Sequence, residues 1–145
     1  MALLVGELIA REIPAGDGLV VRQFTGSPLA LLQEVEGCSR LILIDTVCDA
    51  GCPVGTVRLF TEEDLLHAQG GLSPHGMNLP AVFALARRVG AALPRWIRLI
   101  GIEVGSIREF GAAPEPGITA RMNDIAGEAL CILRALLELP TNASG

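Results

Sequence analysis

The spacing of hydrophobic positions changes several times along the chain, and each change marks an element. Ala2 to Ile13 repeats at helical spacing: Leu3, Leu4, Leu8 and Ile9 share a face, with Glu7, Arg11 and Glu12 towards the other side. Pro14 and the Gly16–Asp17–Gly18 turn stop it. Leu19 to Phe24 (LVVRQF) reads as a strand. Ser27 followed by Pro28 signals a helix start, so Pro28 to Glu36 is expected to be a short helix, closed by Gly37. Arg40 to Val47 (RLILIDTV) has a different pattern. Leu41, Ile42, Leu43 and Ile44 run without a polar break into Asp45. A run of this kind reads as a strand buried on both faces, as in a parallel sheet covered by helices, and we take the chain to be organised around it.

The pattern continues with a loop over Thr46 to Gly55 and a short strand from Thr56 to Phe60. Thr61, with Glu62, Glu63 and Asp64 behind it, reads as an N-cap with an acidic first turn. That brief helix ends at Gln69–Gly70–Gly71. Leu72 to Gly76 is a loop. A helix opens at Met77 or Asn78 and runs to about Val89, with Gly90 as its C-cap. Trp96 to Glu103 (WIRLIGIE) is another apolar strand that ends in an acid. Val104 to Gly117 is loop, and Thr119 starts a long last helix to about Leu139. Alternation of this kind implies one α/β domain over residues 1–145. The expected architecture is a three-layer α/β/α sandwich around a mainly parallel, twisted sheet of about four to five strands. Ligands of such sheets bind beyond the carboxyl ends of the strands, where Asp45 falls.

Composition narrows the picture. The chain has 145 residues, half of them hydrophobic and only 3% aromatic, so Leu, Ile, Val and Ala must build the core. Net charge is −5 with no basic block, which argues against a nucleic-acid partner. No apolar run reaches the ~18 residues of a membrane span. The N-terminal segment lacks the basic lead of a secretory signal. Four cysteines (Cys38, Cys48, Cys52, Cys131) form no disulfide framework, so a cytoplasmic location is expected.

Candidate chemistry centres on Asp45 and His75. Both follow apolar segments and open loops, and an acid with a neutral imidazole suits a divalent transition metal. Two ligands alone are fewer than a metal site needs. Cys48 and Cys52 form a C-x3-C pair with His67 downstream, but no second pair completes a zinc site. Cys38 and Cys131 read as small core residues. Ser73 in LSPHG does not sit in a nucleophile elbow and reads as a turn initiator. Glu103 reads as a polar strand end.

Three stretches together resemble the nickel-iron hydrogenase maturation endopeptidases. LILIDTV with the following PVGTVRLF is similar to that family's strand ending in Asp, its Pro-Gly-Thr-like turn and its short strand. LSPHGMNLPAVFALARRVGAALP is similar to its Ser-x-His motif and leucine-rich helix. WIRLIGIEVGSIREFGAAPEPGITARM resembles its last strand, the loop after it and the start of the last helix. The likeness runs over about residues 2–138. It implies a metal-dependent, aspartyl-type endopeptidase that clips the C-terminal extension from a hydrogenase large-subunit precursor after nickel insertion. It implies that the nickel is carried by that precursor rather than held by the enzyme, and that Asp45 and His75 contact it. A monomer is expected, though nothing in the sequence fixes the oligomeric state. A non-cutting assembly factor, or an unrelated small-ligand-binding domain, is the alternative.

The family also has a strand and a first acidic ligand ahead of its first helix, and this sequence opens within that helix. Glu7 is about two turns too far along to replace the acid, ~10 Å at ~1.5 Å per residue. Losing a strand would leave backbone groups unpaired, so a longer native product is expected, with a shortened relative as the alternative.

Overall fold

The computed structural model describes residues 2–13, 16, 18–48, 51–67, 79–105 and 116–139. In chain order the elements are α1 (Ala2–Glu12), α2 (Pro28–Glu34), β1 (Arg40–Val47), β2 (Val57–Thr61), α3 (Glu62–His67), α4 (Leu79–Arg88), β3 (Trp96–Glu103), α5 (Pro116–Ala120) and α6 (Met122–Glu138). The fold is α/β. The three strands lie in the order β1-β3-β2, with β1 parallel to β3 and β2 antiparallel to it.

The middle strand is therefore β3 and not β1. Its odd and even side chains enter two separate cores. Ile97 and Leu99 pack with Leu31 of α2, Val35 just past its end, Leu65 of α3 and Leu79 and Phe83 of α4. Ile100 and Ile102 pack with Val5 and Ile9 of α1 and with Ile125, Ala129, Leu133 and Leu136 of α6. Helices thus cover both faces, which gives the three layers expected. The strand β1 divides in the same way: Leu41 and Leu43 lean on the α2–α4 core, Ile42 and Ile44 on the α1–α6 core.

Two expectations about the sheet are corrected. Among the described residues it has three strands, not four to five, and one of its two pairings is antiparallel. Leu19 to Phe24 is not a strand; among the described residues the only pairing in this stretch is an isolated bridge between Gly16 and Leu19. Its β-rich composition is real, but a strand exists only where a neighbour meets its N–H and C=O groups. The segment instead ties α1 to α2: Gln23 donates to Glu7 of α1, and Arg22 pairs with Glu34 of α2.

Local signals in the sequence explain most boundaries. Ser27 Oγ accepts from Ala30 N at 3.2 Å and starts α2. Thr61 Oγ1 accepts from Asp64 N at 3.2 Å, while Asp64 Oδ2 accepts from Thr61 N at 2.7 Å, a reciprocal cap on α3. Gly90 takes φ +72° just past α4. The last helix begins later than expected, at Met122, with α5 as a separate turn ahead of it. Cys38 and Cys131 are both exposed, not core. Cys131 lies on the side of α6 turned away from the buried Ile125, Ala129, Leu133 and Leu136.

At the amino end of the sheet, Arg40 and Arg98 both lie over the Trp96 ring, with guanidinium carbons 4.2 and 4.6 Å from its centroid. Arg40 also donates to Leu136 O and Leu139 O at the end of α6, the first of which accepts from Leu139 N as well.

Candidate functional site

The site is built from the carboxyl ends of two parallel neighbours, β1 and β3. Their register pairs Asp45 with Gly101 and Val47 with Glu103. Side chains alternate along a strand, so Asp45 follows Leu41 and Leu43 to the α2–α4 face, and Glu103 follows Ile97 and Leu99 to that same face. Two carboxylates therefore leave one face of the sheet, from Cα positions roughly 8 Å apart at normal strand spacing and rise. Asp45 is half-buried, whereas Glu103 is only 5% exposed.

Each acid is fixed by its surroundings. Asp45 Oδ1 accepts from Thr46 N at 2.7 Å, which holds the side chain back along its own strand. Glu103 is pinned through its main chain: its N–H donates to Thr56 O and its C=O accepts from Gly55 N, both at 2.8 Å. Val104 N donates to Val47 O at 2.9 Å, so the last residue of β1 and the turn ahead of β2 grip the tip of β3 from both sides. Gly55 takes φ +85°, a backbone state that a side chain resists.

Gly101 separates Asp45 on β1 from Arg58 on β2, since both are its register partners. A Cβ at Gly101 would come within 2.6 Å of the Phe60 ring and 2.9 Å of Val47. The ring therefore lies over the glycine, and Arg58 lies over the ring at 5.2 Å. Arg58 Nη1 also reaches Cys52 Sγ at 3.2 Å, whereas Cys48 Sγ is 3.7 Å from Gly105 O. The two cysteines engage different elements, and no group of three or more His, Cys, Asp or Glu among the described residues is placed to hold a metal.

Of the site residues expected from the sequence, Asp45 stands at the carboxyl end of its strand. His75 lies outside the described residues, as does Ser73. Glu7 is exposed on α1 and accepts from Gln23 Nε2 at 3.4 Å. Sequence reasoning missed Gly101 and Thr46. A glycine inside an otherwise apolar strand is a sign of close approach, and it was there to be read.

The comparisons with known proteins bear on this arrangement. The family model for hydrogenase maturation proteases matches residues 25–131, well over half of the chain. The chain belongs to that family. It is 27% identical over 138 residues to the hydrogenase expression/formation protein HupM of Azotobacter chroococcum mcd 1, covering 92% of this chain and 65% of HupM. It is 27% identical over 126 residues to HoxM of Azotobacter vinelandii, described in the same words, covering 86% of this chain and 60% of HoxM. The chain thus spans less than two thirds of the length of these relatives.

Two solved structures share the fold of this maturation-protease chain at 19% identity, each covering 92% of it and 82% of the solved chain. One is the solution structure of an endopeptidase from Escherichia coli, with a TM-score of 0.68. The other is the hydrogenase maturating endopeptidase HybD from E. coli, with a TM-score of 0.67. Among the described residues, no helix is long and apolar enough to cross a membrane.

Proposed function

We propose that the chain is a metal-dependent endopeptidase that removes the C-terminal extension of a nickel-iron hydrogenase large-subunit precursor after nickel insertion. Family membership and the likeness to endopeptidase folds support this reading. The observation that carries it is the placement of Asp45: a half-buried carboxylate at the carboxyl end of a parallel strand, its rotamer set by the Thr46 N–H. That end of an α/β sheet is where ligands bind. In this reading Asp45 and His75 engage nickel that arrives as part of the substrate, and the metal polarises the scissile carbonyl as a Lewis acid. Glu103, buried at the end of β3, leaves the same face of the sheet two register positions beyond Asp45.

The test is the intact mass of a nickel-loaded large-subunit precursor from the same cells, before and after addition of this chain. Loss of a C-terminal peptide is the expected result. Asp45→Asn and His75→Ala should abolish the mass change while leaving the far-UV circular dichroism intact. An unchanged precursor that nevertheless co-purifies with the chain would make it a non-cutting assembly factor.

A further inference from the structure

Three register partners cross the carboxyl end of the sheet on one face: Asp45 on β1, Gly101 on β3 and Arg58 on β2. The outer two carry opposite charges, and the middle one has no side chain. Phe60 shares that face two residues after Arg58 and lays its ring over the gap. The Arg58 guanidinium lies over the same ring, its carbon 5.2 Å from the centroid. Its Nη1 is also 3.2 Å from Cys52 Sγ, in the loop that follows Asp45. An exposed arginine is therefore held by two elements that shape the site: the ring that closes on Gly101 and the loop after β1.

A surface arginine ordinarily samples many rotamers, and ordering it on binding costs conformational entropy. The ring and the thiol restrict Arg58 before any ligand arrives. Stacking uses the face of a guanidinium, and its donors lie in the plane as a rigid fork. Two strand spacings separate the Cα atoms of Asp45 and Arg58, roughly 10 Å, which an extended polypeptide covers in about three residues. A guanidinium fixed over Phe60 is thus on the β2 side of Gly101, away from a carbonyl polarised by a metal at Asp45. It meets a neighbouring part of the same polypeptide. The anionic groups of a polypeptide are carboxylates, and these match the guanidinium fork with two parallel hydrogen bonds.

We propose that Arg58 binds a carboxylate of the polypeptide substrate, about three residues along the chain from the residue held at Asp45. The inference rests on the endopeptidase reading and deepens it by naming a feature of the substrate. Arg58 is then a specificity-determining residue. It makes no bond to the reacting atoms, so it holds the bound substrate and the transition state equally well. Its loss should raise KM and leave kcat unchanged.

The experiment is steady-state processing of a nickel-loaded large-subunit precursor by the parent chain, Arg58→Gln and Arg58→Lys, read by intact mass. Arg58→Gln should raise KM about tenfold, the effect of one charge-assisted hydrogen bond, with kcat within about twofold of the parent. Arg58→Lys should recover part of the loss, since an ammonium keeps the charge without the fork. Precursors with single Asp→Asn or Glu→Gln changes near the C-terminus, and one lengthened there by a few glycines, tell a side-chain carboxylate from the chain terminus. With one of these precursors Arg58→Gln should cost nothing further. An unchanged KM, a fall in kcat alone, or penalties that add for every precursor overturn the role of Arg58 and leave the endopeptidase reading standing. Absence of cleavage by the parent overturns that reading, and the proposal with it. Far-UV circular dichroism checks the fold of each variant; where Arg58→Gln fails it, the KM of Arg58→Lys across the same precursors decides.

Discussion

Replacing Gly101 by alanine tests the packing on which the candidate site stands. The new methyl would lie 2.6 Å from Phe60 Cε2, 3.1 Å from Phe60 Cδ2 and 2.9 Å from Val47 Cγ1. Real carbon contacts are near 3.5–4.0 Å, so two side chains in a closed core must move by about an ångström. Overpacking of this size costs about 1–3 kcal/mol. Alanine regains about 0.5–1 kcal/mol by restricting the unfolded chain. A net loss of about 1–2 kcal/mol remains, or about 0.5–1 M in the urea midpoint at a slope of about 2 kcal/mol per molar. Urea unfolding followed by far-UV circular dichroism measures it. Phe60→Leu trims the ring that causes the clash, so the double variant should lose less than the sum of the two single losses. A Gly101→Ala protein as stable as its parent, or strictly additive effects of the pair, would refute the close approach of Phe60. Val47 and Phe60 close on Gly101, the register partner of Asp45, so under the proposed endopeptidase function the same variant should also slow precursor processing.

Other expectations follow from the caps. Arg40→Ala removes two hydrogen bonds to the end of α6 and a stack on Trp96, a loss of about 2–3 kcal/mol, read as a fall of about 5–10 °C in melting temperature. Arg40→Lys should recover only part of it, since an ammonium cannot span both carbonyls and the ring. Thr61→Ala should cost about 1 kcal/mol through the cap on α3, measured by urea unfolding. The Asp64 carboxyl is held below its ordinary value of 3.8, first by the Thr61 N–H, then by the Thr61 hydroxyl, with Arg58 and Arg98 adding to it. A lowered carboxyl stabilises the fold above the unfolded value, and that contribution fades as pH falls through the folded one. The stability gap between the parent and Asp64→Asn should therefore be present at neutral pH and shrink below pH ~4. A gap that does not change with pH would remove the charge from the account.

The strands Arg40–Val47 and Trp96–Glu103 could be read residue for residue, because an unbroken run of Leu, Ile and Val has few other ways to be buried. Their order could not. Both runs look equally central, and the half-burial of Leu41 to Ile44 appears only once β3 is found between β1 and β2. Val20 and Val21 show the complementary error. Side-chain pattern reports which face a residue prefers and carries no information about whether a neighbour exists to complete the ladder. Cys131 misled for a related reason: its apolar neighbours along the helix point inward while it points out. Asp45 was legible as the polar end of an apolar run. The role of Thr46 was not, because it acts through a backbone N–H that any residue but proline would supply.

The closeness of Arg40 and Arg98 to the Trp96 ring has an optical consequence. The chain contains one tryptophan and no tyrosine, so all of its intrinsic emission comes from that ring. Trp96 opens β3, whereas Asp45 and Glu103 lie at the strands' far ends. Release of the end of α6 would strip one guanidinium from the indole and change its emission. Events at the carboxyl ends of the sheet, a whole strand length away, would leave the signal untouched. Fluorescence of this protein therefore reports whether its last helix is seated, and a substrate that engages only the Asp45 end binds in the dark.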